Sequence, residues 1–402
     1  MAAVLGDAAA VIGLLADDPP GATRPSAPYG WDPLTCLCFS RYLRIERHRT
    51  GDFVEAATVL LDAGADPRAG WYEEAHQPSP VWESALYGAA GVAHSPELTR
   101  LLLERGADPN DEETPYHAPE GWDTATVRVL AESGRLTPDS FATMLLRSAD
   151  WHHLDGVRLL LDHGADPNRM TRWGRTALQQ AVLRDNDLAI VEAMLDHGAD
   201  PTRPTGGPTA VALAADRGRG DILALLEHPG IPAPLDGLRA VAAASALGRL
   251  QQGRQLLDSN PALRLQLDVH GGELLAAFAG NDNAAGLAVL FELGVEPGTR
   301  LAAGDGYWGI APGSTALHAA AWRAAHAAVE LLVGRGVAVD AMDGLGRTAL
   351  ELAIRAGTDS YWSHRRSISS IRTLLAAGAT ADRFSRPTGW PEADELLSAS
   401  AE

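Results

Sequence analysis

The sequence contains no lysine; all 33 of its basic residues are arginine. Together with abundant alanine and glycine, this is the composition expected of a GC-rich bacterial genome, and it carries no mechanism. Cysteine is almost missing as well. Cys36 and Cys38 stand one residue apart with no second pair, which excludes a disulfide framework and gives neither zinc nor redox spacing. Positive charge is scarce beside 52 acidic residues, and the net charge is −19. General nucleic-acid binding needs a basic footprint that displaces counterions, and an anionic membrane surface would repel such a chain. No apolar run approaches the roughly 20 residues that span a bilayer. The opening MAAVLGDAAAVIGLLADD has no basic residue, is interrupted by Asp7 and is closed by Asp17 and Asp18, so it is not expected to act as a signal peptide. Neither a glycine-rich phosphate loop following a strand nor a nucleophile elbow is found. The expectation is a reduced, cytoplasmic, soluble, monomeric protein with no cofactor, no metal ion and no catalytic residues.

What is present is repetition. LLLERGADPN (101–110) returns as LLLDHGADPN (159–168), and weaker versions recur at LLDAGADPR (60–68), AMLDHGADP (193–201) and LLAAGATAD (374–382). The residues that end these runs are Gly64, Gly106, Gly134, Gly164, Gly198, Gly230, Asn260, Gly294, Gly336 and Gly378. Most steps lie near 30–34 residues and three are 42. A second anchor lies upstream, TAL at 176–178, TAV at 209–211 and TAL at 315–317 and 348–350, with 33 residues from Thr176 to Thr209 and again from Thr315 to Thr348. Threonine before an apolar stretch is a helix N-cap. Small residues follow, so the first helix can pack closely. The second helix carries three leucines that cannot share one side, so neighbours must cover both. Glycine then takes a left-handed C′ position and Asp-Pro turns the chain away. Such a helix pair cannot bury its apolar faces alone, and stacking is what buries them.

The pattern resembles the ankyrin repeat, most clearly in TALHAAA (315–321) with VELLVGRG (329–336) and in TALQQAV (176–182) with VEAMLDHGAD (191–200). TPYH (114–117) and His153 match two further slots of the motif. The resemblance implies an all-α ankyrin solenoid of about ten helix-pair repeats, preceded by a half repeat over residues 1–18 and capped by PTGWPEADELL (387–397). It assigns His117 and His318 to local hydrogen bonding and Cys38 to a buried small-residue slot. His163 and His197, beside the helix-ending glycines, are expected to favour the helix C-terminal dipole. The cluster Asp111, Glu112, Glu113 and His117 is therefore read as structural rather than metal-binding.

Departures from the motif are informative. Inserts fall at 41–52 and 357–367, and two fingers are enlarged, 69–82 and 298–313. Pro119 and Gly121 require a short or irregular first helix in the third repeat. Repeats 7 and 8 are the most degenerate. HPGIPAPLDG (228–237) suggests a division into subarrays 1–227 and 238–402.

The resemblance implies that fingers and first helices line the groove where partners bind. The expected function is a non-catalytic protein–protein interaction scaffold or adaptor. The alternatives are a dedicated inhibitor or escort of one enzyme, or a small-molecule or metal site supported on the repeats. The candidate contact residues are Trp71, Tyr72, Trp151, Arg172, Trp173, Arg175, Arg184, Arg217, Tyr307, Trp308, Trp322 and Arg323. Tryptophan and arginine carry a disproportionate share of interface energy. The arginines along this stripe give the expectation of a protein partner with an acidic surface.

Overall fold

The computed structural model describes residues 1–400 apart from 78, 122, 228–229, 231–234, 361–364 and 382–386. The chain groups into two compact units, Met1–Gly207 and Pro208–Glu402. The stretch 228–237, where the sequence suggested a division, lies for the most part outside the described residues.

In the first unit, α1 (Ala8–Asp17) is the half repeat and packs on α4. The five pairs that follow are α2 (Pro33–Cys38) with α4 (Thr50–Asp62), α5 (Ala85–Tyr87) with α6 (Pro96–Glu104), α7 (Glu113–His117) with α8 (Ala125–Glu132), α9 (Pro138–Asp150) with α10 (Leu154–Asp162), and α11 (Ala177–Leu183) with α12 (Leu188–Asp196). The first insert forms a single turn, α3 (Tyr42–Ile45). As the prolines require, α7 is short and gives way to a 3-10 turn at Ala118–Glu120. The finger 69–82 is a β-hairpin. Strands β1 (Gly70–Glu73) and β2 (Val81–Ser84) pair antiparallel, with Trp71 opposite Glu83 and Tyr72 opposite Trp82.

The repeated letters have distinct jobs. Leu159, Leu160 and Leu161 are all buried, so neighbours do cover both sides of α10. Gly106 and Gly164 follow α6 and α10 at φ 102° and 89°, where a side chain would be strained. Asp108 and Asp166 each accept the backbone N–H two residues on. The asparagine that ends each GADPN then reaches the next repeat. Asn110 Nδ2 donates to the Arg135 carbonyl (3.0 Å) while its Oδ1 accepts from Thr137 N–H (2.8 Å). Asn168 does the same with Gly198 (2.7 Å) and Asp200 (2.7 Å). The motif thus recurs because it both closes one repeat and pins the following one.

The second unit pairs α13 (Ala210–Asp216) with α14 (Gly220–Glu227), α15 (Gly237–Ala246) with α16 (Leu250–Ser259), α17 (Ala262–Gly280) with α18 (Ala284–Glu292), α19 (Ala316–Trp322) with α20 (His326–Gly334), and α21 (Ala349–Ala356) with α22 (Ser369–Ala376). The tail forms the capping helix α23 (Pro391–Ala399). Threonine caps open the first helices of this unit's regular repeats, with Thr209 and Thr348 accepting the N–H three residues on. The degenerate repeats depart furthest. With neither glycine nor Asp-Pro after Asn260, no finger forms, and α17 runs for 19 residues instead. At its end Asn283 Nδ2 donates to both Gly218 (2.7 Å) and Ala246 (2.9 Å) carbonyls, so the turns of three repeats converge on one amide.

Candidate functional site

The part of the expected arginine and tryptophan stripe that falls in the fourth and fifth repeats lies over a connected network of charges. Arg147 on α9 donates from Nη1 to Asp150 (2.5 Å), from Nη2 to Glu120 (2.6 Å) and from Nε to the Tyr116 carbonyl (3.1 Å). Its guanidinium lies 3.9 Å from the centre of the Tyr116 ring. Asp150 also accepts from Arg184 Nε (2.9 Å) and from the Gln180 amide, and Arg175 donates to Gln180 Oε1 (3.1 Å). Further along, His117 is held between Glu113 (3.2 Å) and Glu120 (3.0 Å). Its placement requires Gly91, where a Cβ would sit 2.6 Å from that of His117.

Burial opposes the charged form of His117, but the hydrogen-bonded carboxylates of Glu113 and Glu120 outweigh it and raise the imidazole to about 9. His117 is therefore cationic at neutral pH. A histidine whose folded pKa lies above its free value of 6.5 stabilises the fold fully below that value, and the contribution is lost as pH rises through about 9. The parent should accordingly lose stability between these limits, and His117→Gln should lack that part of the loss. Equal pH profiles in chemical unfolding would show that His117 is not held in this way.

Above the network the aromatic rings are open to solvent. Trp173, 37% exposed, packs against Tyr116 at 5.5 Å. Arg172 lies 4.7 Å over the Trp173 ring and pairs with Glu112 at 2.5 Å, both partners being about half exposed or more. Two packed rings, Trp173 and Tyr116, thus lie between two cations, Arg172 and Arg147, across three repeats. Trp151 is exposed at the end of α9. At the hairpin Tyr72 is 62% exposed and leans edge-on against Trp82 (4.9 Å), whereas Trp71 packs on Trp31 (5.1 Å) and Phe39 (6.4 Å) and staples the finger down.

The second unit uses the same residue types inward. Trp308 is 6% exposed and forms a cluster with Leu301, Ile310, Ala276 and Ala319. Trp322, partly buried, donates from Nε1 to the Trp308 carbonyl (2.6 Å). Arg323 is 2% exposed, with its guanidinium 4.9 Å over the Trp308 ring. Arg217 faces Asp305 of the same finger (3.8 Å), and Arg347 donates to its Gly309 carbonyl (3.0 Å). The enlarged finger is folded onto the first-helix side of its own unit. Trp308 and Arg323 are corrected from exposed contact residues to the core of that finger, and Arg217 and Trp322 to its supports. Tyr307 stays exposed, edge-on to Trp308 at 4.6 Å.

Family models of the ankyrin repeat match residues 145–236, as three copies, and residues 312–344. The chain contains ankyrin repeats. Solved structures similar to it include the ankyrin repeat domain of human ASB11, at 22% identity over 59% of this chain and 98% of that one with a TM-score of 0.26. Another is the ankyrin repeat domain of Bcl-3, described as a unique member of the IkappaB protein family, at 21% identity over 57% and 96% with a TM-score of 0.26. Among curated proteins no sequence matches.

Ankyrin repeats are protein-interaction modules, and one deviation from the motif sets this array apart. His318 keeps the local role, accepting from Thr315 N–H at 3.1 Å and bonding the Arg347 carbonyl through Nε2 at 3.1 Å. His117, in the equivalent slot, does not; it is a charged hub between two glutamates. The network residues Tyr116, Glu120, Arg147, Asp150 and Gln180 were not among the sequence candidates. Their signal was available: Arg147 and Asp150 bracket the small pair Ser148-Ala149 at the end of α9, where a charge must be buried or face a partner. Among the described residues no group of three or more His, Cys, Asp and Glu is placed to hold a metal ion, and no helix is long and apolar enough to cross a membrane.

Proposed function

We propose that this ankyrin protein is a non-catalytic binding protein that docks a protein partner on the first-helix and finger side of residues 1–207, with Trp173 as the anchor. The observation that supports this reading is the exposed Arg172–Trp173–Tyr116 ladder lying over an internally paired network. The ring is held in place before binding, so little ordering cost remains. In residues 208–402 the corresponding side is covered by the chain's own finger. The charge of the partner follows from one group. Arg175 and Arg184 are engaged inside the network, and Arg172 is the stripe guanidinium that stays half exposed. An acidic patch on the partner would replace Glu112 at Arg172, exchanging an exposed ion pair worth about 0–1 kcal/mol.

Trp173→Ala is expected to speed dissociation of the captured partner by roughly 30-fold, the equivalent of about 2 kcal/mol for a hot-spot ring. Arg172→Gln should instead slow association and flatten its salt dependence. Surface binding kinetics separates the two effects. If both variants bind like the parent while remaining folded, the partner docks elsewhere.

A further inference from the structure

At the base of the hairpin one acid is left over. Glu83 on β2 is 8% exposed, and among the described residues its carboxylate has no hydrogen bond and no ion pair. It sits one strand across from Trp71. The indole Nε1–H of Trp71 is buried and likewise has no acceptor. A buried indole N–H without an acceptor is costly, and on the same rung stands a mostly buried carboxylate with no cation bonded to it.

The charges around them explain why nothing in the chain relieves Glu83. Inside the network Glu113, Glu120 and Asp150 are matched by His117, Arg147 and Arg184. His117, a cation near Glu83, is already held by two glutamates. The other titratable groups that Glu83 feels are Glu113, Glu73 and His76. Burial, reinforced by Glu113, pushes Glu83 up to about 7, as expected of a carboxylate one cation short. Beside it Trp71, Trp31 and Phe39 present a wall of rings.

Resting on the proposed partner-binding role of this face, we propose that the hairpin base receives a basic side chain, arginine or lysine, of the docked protein. The cation ion-pairs with Glu83 and lies against the Trp71 ring, and a carbonyl of the partner backbone accepts from Trp71 Nε1. Arginine suits the site best, because its planar fork bonds a carboxylate and stacks on a ring at once. One partner then carries two complementary features: an acidic patch for Arg172 and a basic residue for Glu83.

The test uses the full chain, labelled at the glutamate carboxyl carbon, and three capped tripeptides with arginine, lysine or citrulline between glycines. The Glu83 resonance is assigned from E83Q, which keeps the shape of the side chain and removes its charge. The arginine and lysine peptides should bind saturably, move the Glu83 resonance and lower its titration midpoint. Citrulline, which is isosteric and neutral, should bind about 10-fold more weakly. E83Q should weaken the arginine peptide by about the same factor while melting no lower than the parent. W71F, which keeps a ring but lacks the N–H, should weaken the peptide several-fold and leave free guanidinium ion unaffected. Equal binding of arginine and citrulline peptides, or a Glu83 resonance that does not move, overturns the proposal. The partner-binding reading fails separately. If Trp173→Ala releases the captured partner and E83Q does not, the basic-residue site is wrong and the docking face stands. If the peptide binds at Glu83 and the partner ignores Trp173→Ala, the docking reading is wrong and the site stands.

Discussion

Asp150→Ala should lower the stability of this protein by about 3–5 kcal/mol, although the change is one charged side chain at the end of a helix. Its carboxylate takes Arg147 at 2.5 Å, Arg184 at 2.9 Å and the Gln180 amide. Arg147 and Arg184 are themselves mostly buried. Removing the acid leaves Arg147 with Glu120 and takes from Arg184 the carboxylate that its Nε donates to. Two mostly buried guanidinium groups then lose a shared carboxylate, and removing one member of a buried charge network costs far more than the network contributes when intact. Arg172→Ala provides the contrast, because its pair with Glu112 is exposed and worth about 0–1 kcal/mol. Chemical unfolding of both variants decides the matter. A loss below about 1 kcal/mol for Asp150→Ala would mean that water reaches the network and the charges are effectively solvated.

Trp308→Ala is expected to cost a similar amount, about 3–5 kcal/mol, and to act locally. The ring fills the space between Leu301, Ile310 and the first helices of residues 208–402 and carries Arg323 on its face. Without it the finger 298–313 loses the group that folds it down, and Arg323 loses its ring. Trp308→Phe should recover much of the stability, because a large apolar ring remains. Amide exchange across 298–313 reads the effect directly: protection should fall in the alanine variant and return with phenylalanine. A finger that remains protected in Trp308→Ala would mean that Asp305 and the Gly309 carbonyl hold it on their own.

The repeat itself could be read from the sequence because it is written in local chemistry. A threonine cap, a small pair, a leucine triplet and a left-handed glycine each act within a few residues, and the ten helix pairs appear where those letters stand. Where the letters fail, the structure departs. Without Gly and Asp-Pro after Asn260, α17 replaces a finger and a short helix by one long helix. The binding face was legible only in part, because its chemistry is decided between repeats. His117 and His318 stand in the same slot of the motif, yet His318 binds its own turn while His117 joins Glu113 to Glu120, three residues further on. Trp308 and Trp173 both stand in fingers. One is buried because its finger is long enough to fold back on the helices, and the other is exposed because its finger is a short turn closed by Thr171 and Arg175. Exposure is a property of loop length and neighbours, which residue type does not encode.

Docking of a protein partner on the first-helix and finger side of residues 1–207 can be read out in the partner's complex. The most direct measurement is hydrogen–deuterium exchange of the full chain, alone and in complex with the partner it captures from its native cell. Lysine-directed cross-linking would be blind here, since the chain has no lysine. New protection is expected over 112–117 and 169–175, around Tyr116 and Trp173, with exchange in 298–313 unchanged. Protection confined to 298–313, or to the second helices α10 and α12, would contradict it.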